Sequence, residues 1–91
     1  MWNNNYGWLR VNKPKLHYDY YYYEIVRKNI KKYRKIAGIT QQDLAEMIDV
    51  SNHYISQIET GKPNKYFTLV IIGRIADTLD IDIKQLFDDG D

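Results

Sequence analysis

The chain has 91 residues, no cysteine and only two histidines, and its 13 basic and 12 acidic side chains leave a net charge of +1. That length supports one domain with a modest core, the missing thiols exclude disulfides and Cys-based zinc sites, and His17 and His53 lack any paired ligand spacing, so neither metal nor cofactor is expected. No apolar run approaches the roughly 20 residues of a membrane span and no basic-then-apolar leader opens the chain, so the expected compartment is the cytoplasm.

The small net charge hides an asymmetry. Arg10 to Lys35 holds nine Lys/Arg against Asp19 and Glu24, a net of +7, whereas Ile36 to Asp91 holds four basic and ten acidic residues, a net of −6. A chain polarised in this way can offer a basic face to nucleic acid while staying near neutral overall. An ordinary solvated helix face is the competing explanation for the lysines.

Residues 1–22 read as an aromatic and basic extension. Both tryptophans, Trp2 and Trp8, lie here, and six of the nine tyrosines precede Glu24. Trp8 to Val11 and Leu16 to Tyr20 have strand-like composition around Asn12-Lys13-Pro14-Lys15, which suits a short β-hairpin. Alone it would be marginal, because a hairpin without a core needs something to dock on. Three roles stay open for the extension: an arm for a protein partner, an arm along DNA, or a cover for the domain's own apolar surface.

From Tyr23 the pattern becomes helical, and residues 23–88 read as the domain. Val26, Ile30, Tyr33 and Ala37 recur as one apolar stripe, with Arg27, Lys28, Lys31, Lys32 and Lys35 on the other side. Gly38 is suited to stop this helix. Thr40 with Asp43 forms a capping box for a second helix whose inner face is Leu44, Ala45 and Ile48. Asp49-Val50 breaks it and Ser51 caps a third helix, in which Ile55 and Ile58 point inward. Gly61 and the Lys62-Pro63-Asn64-Lys65 loop end that helix. A fourth runs from about Thr68 to Leu79, with Leu69, Ile72, Ile75, Ala76 and Leu79 apolar. Gly73 in its middle costs roughly 1 kcal/mol against alanine, which a close helix contact would rationalise. A fifth, Ile83 to Phe87, is capped by Asp82. Residues 89–91 are an acidic tail. The expected fold is all-α, five helices with short connections.

The spacing of Leu44, Ala45, Ile48, Val50, Ile55 and Ile58 lets two short helices share a core at a steep angle. That is the geometry of a helix-turn-helix. The run from Thr40 to Lys62 (TQQDLAEMIDVSNHYISQIETGK) resembles the helix-turn-helix of the phage repressor/Cro family, also called the xenobiotic-response-element family. The likeness continues through Ile75 to Ile81 and Leu86-Phe87, covering about residues 24–88. It implies a compact five-helix lambda-repressor-like domain that binds double-stranded DNA, usually as a two-fold homodimer. Asp49 stands where the family usually has glycine, and Phe67 where some relatives carry a basic residue. The resemblance also pairs Arg34 with Glu59, as a structural ion pair rather than a DNA contact.

On a helical wheel, Asn52, His53, Ser56 and Gln57 gather opposite Ile55 and Ile58, where an inserted helix offers side chains to base edges. Asn and Gln suit adenine and His can donate to guanine acceptors. The helix carries no Arg or Lys, so A·T-leaning sites are expected. Phosphate contacts are expected from Gln41 and Ser51 at helix N-termini, from Lys62, Asn64 and Lys65, and from the Tyr54 hydroxyl. No nucleophile–base pair, carboxylate pair or Gly-rich phosphate loop appears, so an enzyme is not expected. The reading is a transcriptional regulator, a repressor acting as a dimer on a palindromic operator. The alternative is an antitoxin or antirepressor-type module whose aromatic extension engages a protein partner. With three residues after Asp88, dimer contacts are expected from the fourth and fifth helices or the extension.

Overall fold

The computed structural model describes residues 16–61 and 66–90. Among them are five helices and no strand: α1 (Tyr21–Ile36), α2 (Gln41–Met47), α3 (Asn52–Thr60), α4 (Leu69–Thr78) and α5 (Ile83–Leu86). The all-α architecture expected from the periodicity is present. The second half of the expected hairpin is not a strand: Leu16–Tyr18 is irregular and Asp19–Tyr20 turns into α1. Its first half lies outside the described residues.

Helix α1 begins two residues earlier than its apolar stripe suggested. Tyr20 offers no side-chain cap, and tyrosine is only a moderate helix former. Tertiary contact compensates. Tyr20 stacks on Tyr66 with ring centroids 5.4 Å apart, and Tyr23 meets Tyr66 and Phe67 edge-on at 4.9 Å each. A hydrogen bond with Tyr20 pushes the Tyr66 phenol up to about 12. The aromatic first turn is thus fixed on the segment that leads into α4. Ala37 does not continue the apolar stripe; it is the exposed C-cap. Arg27 does not lie on the solvated side either, being half-buried.

Helices α1, α2 and α4 end alike. In each, a residue with positive φ follows the cap: Gly38 at 74°, Asp49 at 62° and Asp80 at 56°. The next amide reaches back five residues, Ile39 to the Arg34 carbonyl, Val50 to Ala45 and Ile81 to Ala76, at 2.9–3.3 Å. This is the Schellman arrangement, which satisfies carbonyls the helix leaves open. Asp tolerates left-handed backbone better than most non-glycine residues, so Asp49 makes the turn without glycine. The starts are equally well determined. Thr40, Ser51, Thr68 and Asp82 each accept a backbone N–H from the first turn of α2, α3, α4 and α5, and reciprocal capping boxes close at Thr40/Asp43 and Asp82/Gln85.

One core joins the five helices. Val26 and Ile30 from α1, Leu44 and Ala45 from α2, Ile55 and Ile58 from α3, Ile72, Ile75 and Ala76 from α4, and Leu86 from α5 are all buried, with Ile48, Leu79 and Phe67 from the connections. Each fully buried Ile or Leu contributes on the order of 1.5–3 kcal/mol. Ala45 lets α3 come close to α2, and the two helices are packed together. Not every apolar residue of α4 is buried, and the close contact expected at Gly73 is absent. Leu69 is 69% exposed, because it opens the helix on the solvent side. Gly73 meets no close neighbour: a Cβ there would find nothing within 4 Å. Across the fold, Asn29 of α1 is buried and donates its amide to the carbonyls of Leu86 (2.8 Å) and Asp88 (2.7 Å), tying the end of α5 to α1.

Candidate nucleic-acid interface

The turn between α2 and α3 sets how the third helix is presented. Val50 is half-buried against the core, Asp49 makes the left-handed step, and Ser51 accepts the Tyr54 amide at 3.0 Å. Ile55 and Ile58 then fix the inward face. The outward face carries Asn52 and His53, both exposed in the first turn, and Ser56 and Gln57, half-buried one turn later. No acidic residue occupies that first turn. Tyr54 lies between the two faces, partly buried against the core, and burial raises its phenol pKa.

The far end of α3 is held by a buried ion pair. Arg34 donates Nε to Glu59 Oε2 at 2.7 Å and Nη2 to Oε1 at 3.0 Å, while its Nη1 donates to the Ile39 carbonyl at 2.8 Å. The bonded Glu59 carboxylate raises the Arg34 pKa further. Gln41, expected at a phosphate through its position at a helix N-terminus, turns its amide to Glu59 Oε1 at 3.0 Å. Helices α1, α2 and α3 therefore meet in one hydrogen-bonded knot, and the bidentate fork fixes their mutual orientation. No buried side-chain N or O among the described residues lacks a partner.

Beyond the pair, Gly61 ends α3 with φ of 69°. A Cβ there would stand 2.6 Å from Arg27 Nε, so the guanidinium lies over the helix end, where a cation also suits the dipole. Lys62, Asn64 and Lys65, expected to meet phosphates, lie outside the described residues. Phe67, where the resemblance sets a basic residue in some relatives, is buried in the core.

Two more polar residues border the candidate interface: Lys35, whose role the sequence left open, and Gln42, which it did not single out. Lys35 and Gln42 share with Gln41, Thr40 and Asn52 the rim of one shallow depression between the N-termini of α2 and α3. The sequence left Lys35, with the other lysines of α1, open between a phosphate contact and a solvated helix face. The signal was its place in the last turn, just before the Gly38 stop that folds α2 back beside it.

A polar helix face, presented by a tight left-handed turn and locked by Arg34–Glu59, sits on a five-helix scaffold, and the helix-turn-helix family model matches residues 30–86. The chain belongs to the Cro/C1-type helix-turn-helix family. Solved structures agree. The restriction-modification controller protein C.AhdI from Aeromonas hydrophila is 26% identical with a TM-score of 0.65, over 71% of this chain and 96% of that one. SinR, the master regulator for biofilm formation, solved in complex with DNA, is 28% identical with a TM-score of 0.62, over 69% and 98%. The hypothetical transcription factor NHTF from Neisseria, at 22% identity and a TM-score of 0.68 over 81% and 83%, shares the fold. No curated protein sequence matches significantly. The helix-turn-helix here is thus the fold of DNA-binding transcription regulators. Among the described residues no helix is long and apolar enough to cross a membrane, and no cluster of His, Asp and Glu could hold a metal ion.

Proposed function

We propose that this helix-turn-helix protein is a cytoplasmic repressor that binds a palindromic duplex site as a homodimer. The observation that carries the reading is the outward face of α3. Asn52 and His53 stand exposed at the helix N-terminus with Ser56 and Gln57 behind them, on a helix whose other face is locked into the core. Those four read base edges, with adenine favoured by Asn52 and Gln57. Ser51, Gln41, Tyr54, Lys62, Asn64 and Lys65 serve the phosphates, joined by Lys35 and Gln42 from the rim of the depression. Arg34 and Glu59 hold the scaffold.

Selection of bound sequences from a random duplex pool, at two salt concentrations, tests this. The expected product is an inverted repeat with half-site centres about 34 Å apart, one turn of DNA. Enrichment of no sequence at moderate salt sinks the operator reading, since purely electrostatic binding is sequence-independent.

A second reading, an antitoxin or antirepressor-type module, draws on the exposed rings of Tyr18 and Tyr22 where the extension meets α1. Deleting residues 1–15 separates the two. Loss of sequence-specific binding with an unchanged melting temperature assigns the extension to DNA; unchanged binding leaves it to a protein partner or to the domain itself.

A further inference from the structure

Helix α3 carries no basic residue in its own last turn, yet the carbonyls at a helix C-terminus favour a cation. Arg27 supplies one from α1. A Cβ at Gly61 would lie 2.6 Å from Arg27 Nε, 2.7 Å from Cζ and 3.0 Å from Nη2, so the flat guanidinium rests on the glycine itself. Gly61 in turn donates its amide to the Gln57 carbonyl at 2.8 Å, and the Thr60 hydroxyl donates to the Ser56 carbonyl at 2.9 Å. The turn that presents Ser56 and Gln57 therefore closes on the residue that Arg27 covers.

Arg27 is itself held. Its Nη1 lies 4.0 Å from Glu24 Oε1, one turn earlier on α1. The other oxygen, Glu24 Oε2, accepts the Tyr18 hydroxyl at 2.5 Å. That bond raises the Tyr18 phenol pKa, so the hydroxyl keeps the proton it donates. A surface ion pair of this kind adds little stability; what it fixes is direction. The Glu24 carboxylate, engaged on both oxygens, keeps one orientation and aims the guanidinium at the end of α3. The outward face of α3 has no Arg or Lys whose length could absorb a shift of the helix, so its contacts depend on where the last turn sits.

We propose that Tyr18, Glu24 and Arg27 form a relay that positions the C-terminal turn of α3, with Arg27 as the clamp and Glu24 and Tyr18 as its aim. The clamp stands on these contacts alone. Its consequence for Ser56 and Gln57 at the bases rests on the DNA reading above.

The clamp is tested without DNA. In Arg27→Gln the backbone order parameters of Thr60 and Gly61 should fall from the rigid range, about 0.85, towards the flexible range below about 0.6. That of Ile75 in α4 should stay rigid. Tyr18→Phe keeps the exposed ring and removes only the hydroxyl; it should lower the same two values by less. Gly61→Ala should lower the melting temperature more in the parent than in Arg27→Ala, where the guanidinium it would strike is gone. Rigid values at Gly61 in Arg27→Gln, or equal effects of Gly61→Ala in the two backgrounds, overturn the clamp. An unmoved Gly61 in Tyr18→Phe removes Tyr18 from the relay and overturns it as proposed. Well below the melting temperature, Arg27→Gln should also weaken binding of the duplex enriched from the random pool severalfold, with an unchanged slope of log K against log salt. A slope smaller by about 0.9 would make Arg27 a phosphate contact and overturns the positioning role. So does an unchanged affinity once Gly61 has loosened. If the pool enriches no duplex, the operator reading fails by itself, and the order parameters still decide the relay.

Discussion

Arg34 and Glu59 bring full opposite charges into a site where the Glu59 side chain is 1% exposed and that of Arg34 9%. Such a pair adds little net stability, because desolvation cancels much of the attraction, but removing one partner strands the other. Arg34→Ala should therefore cost roughly 3–5 kcal/mol, read as a lower melting temperature, with DNA binding lost in parallel. Loss of binding at an unchanged melting temperature would instead make Arg34 a direct contact. Asp43 behaves differently, since it lies at the surface. Its carboxylate accepts the Thr40 amide at 2.9 Å, and that bond holds its pKa below the ordinary 3.8. The stabilisation is fully present above the unfolded-state value and is lost as pH falls through the lower folded value. The difference in melting temperature between the protein and Asp43→Asn should accordingly shrink once pH drops below 3.8. A constant difference would mean that the carboxylate charge plays no part in the cap.

At the level of elements, Gly73 offers the cleanest measurement. It sits inside α4 with open space where a Cβ would go and with no positive φ. Gly73→Ala should stabilise the protein by about 1 kcal/mol in urea unfolding; destabilisation would mean that another molecule approaches this helix closely. The expectation of a close contact at Gly73 failed because helix propensity is local, whereas close approach depends on a neighbour that one sequence does not name. The same division runs through the rest. Caps at Thr40, Ser51 and Asp82, the stops at Gly38 and Asp49, and the inward faces of α2 and α3 were legible because each depends on residues within a few positions. The start of α1 at Tyr21 was not, because it depends on Tyr20 and Tyr23 meeting Tyr66 and Phe67 more than 40 positions away. On the candidate interface, the 3.6-residue period alone gathers Asn52, His53, Ser56 and Gln57. Gln42 was not singled out, and Lys35 was not separated from the other lysines of α1, because their adjacency arises only when α2 folds back against the end of α1. The bond from the Gln41 amide to Glu59 was not legible either, because it forms only once α3 packs against α2.

For the whole molecule, the cations of α1 divide by position rather than by type. Lys35 borders the depression at the N-termini of α2 and α3, whereas Lys28 lies two turns earlier on an exposed surface. If the DNA reading holds, Lys35→Gln should reduce the slope of log K against log salt by about 0.9, one phosphate's share. Lys28→Gln should leave it unchanged, and equal effects would mean that the whole basic helix follows the backbone. The amide of Asn29 has a consequence of another kind. Its two bonds join residues 57 and 59 positions apart, whereas Arg34–Glu59 spans 25. Closing the longer loop costs more chain entropy, and α5 is only four residues long. The expected order of assembly is α1 with α2 and α3 first and α5 last, so α5 is the latch that opens earliest on the way to the unfolded state. Amide exchange near Leu86 should then outpace exchange in α3. A reading helix would stay folded through excursions that briefly release the chain's final turn.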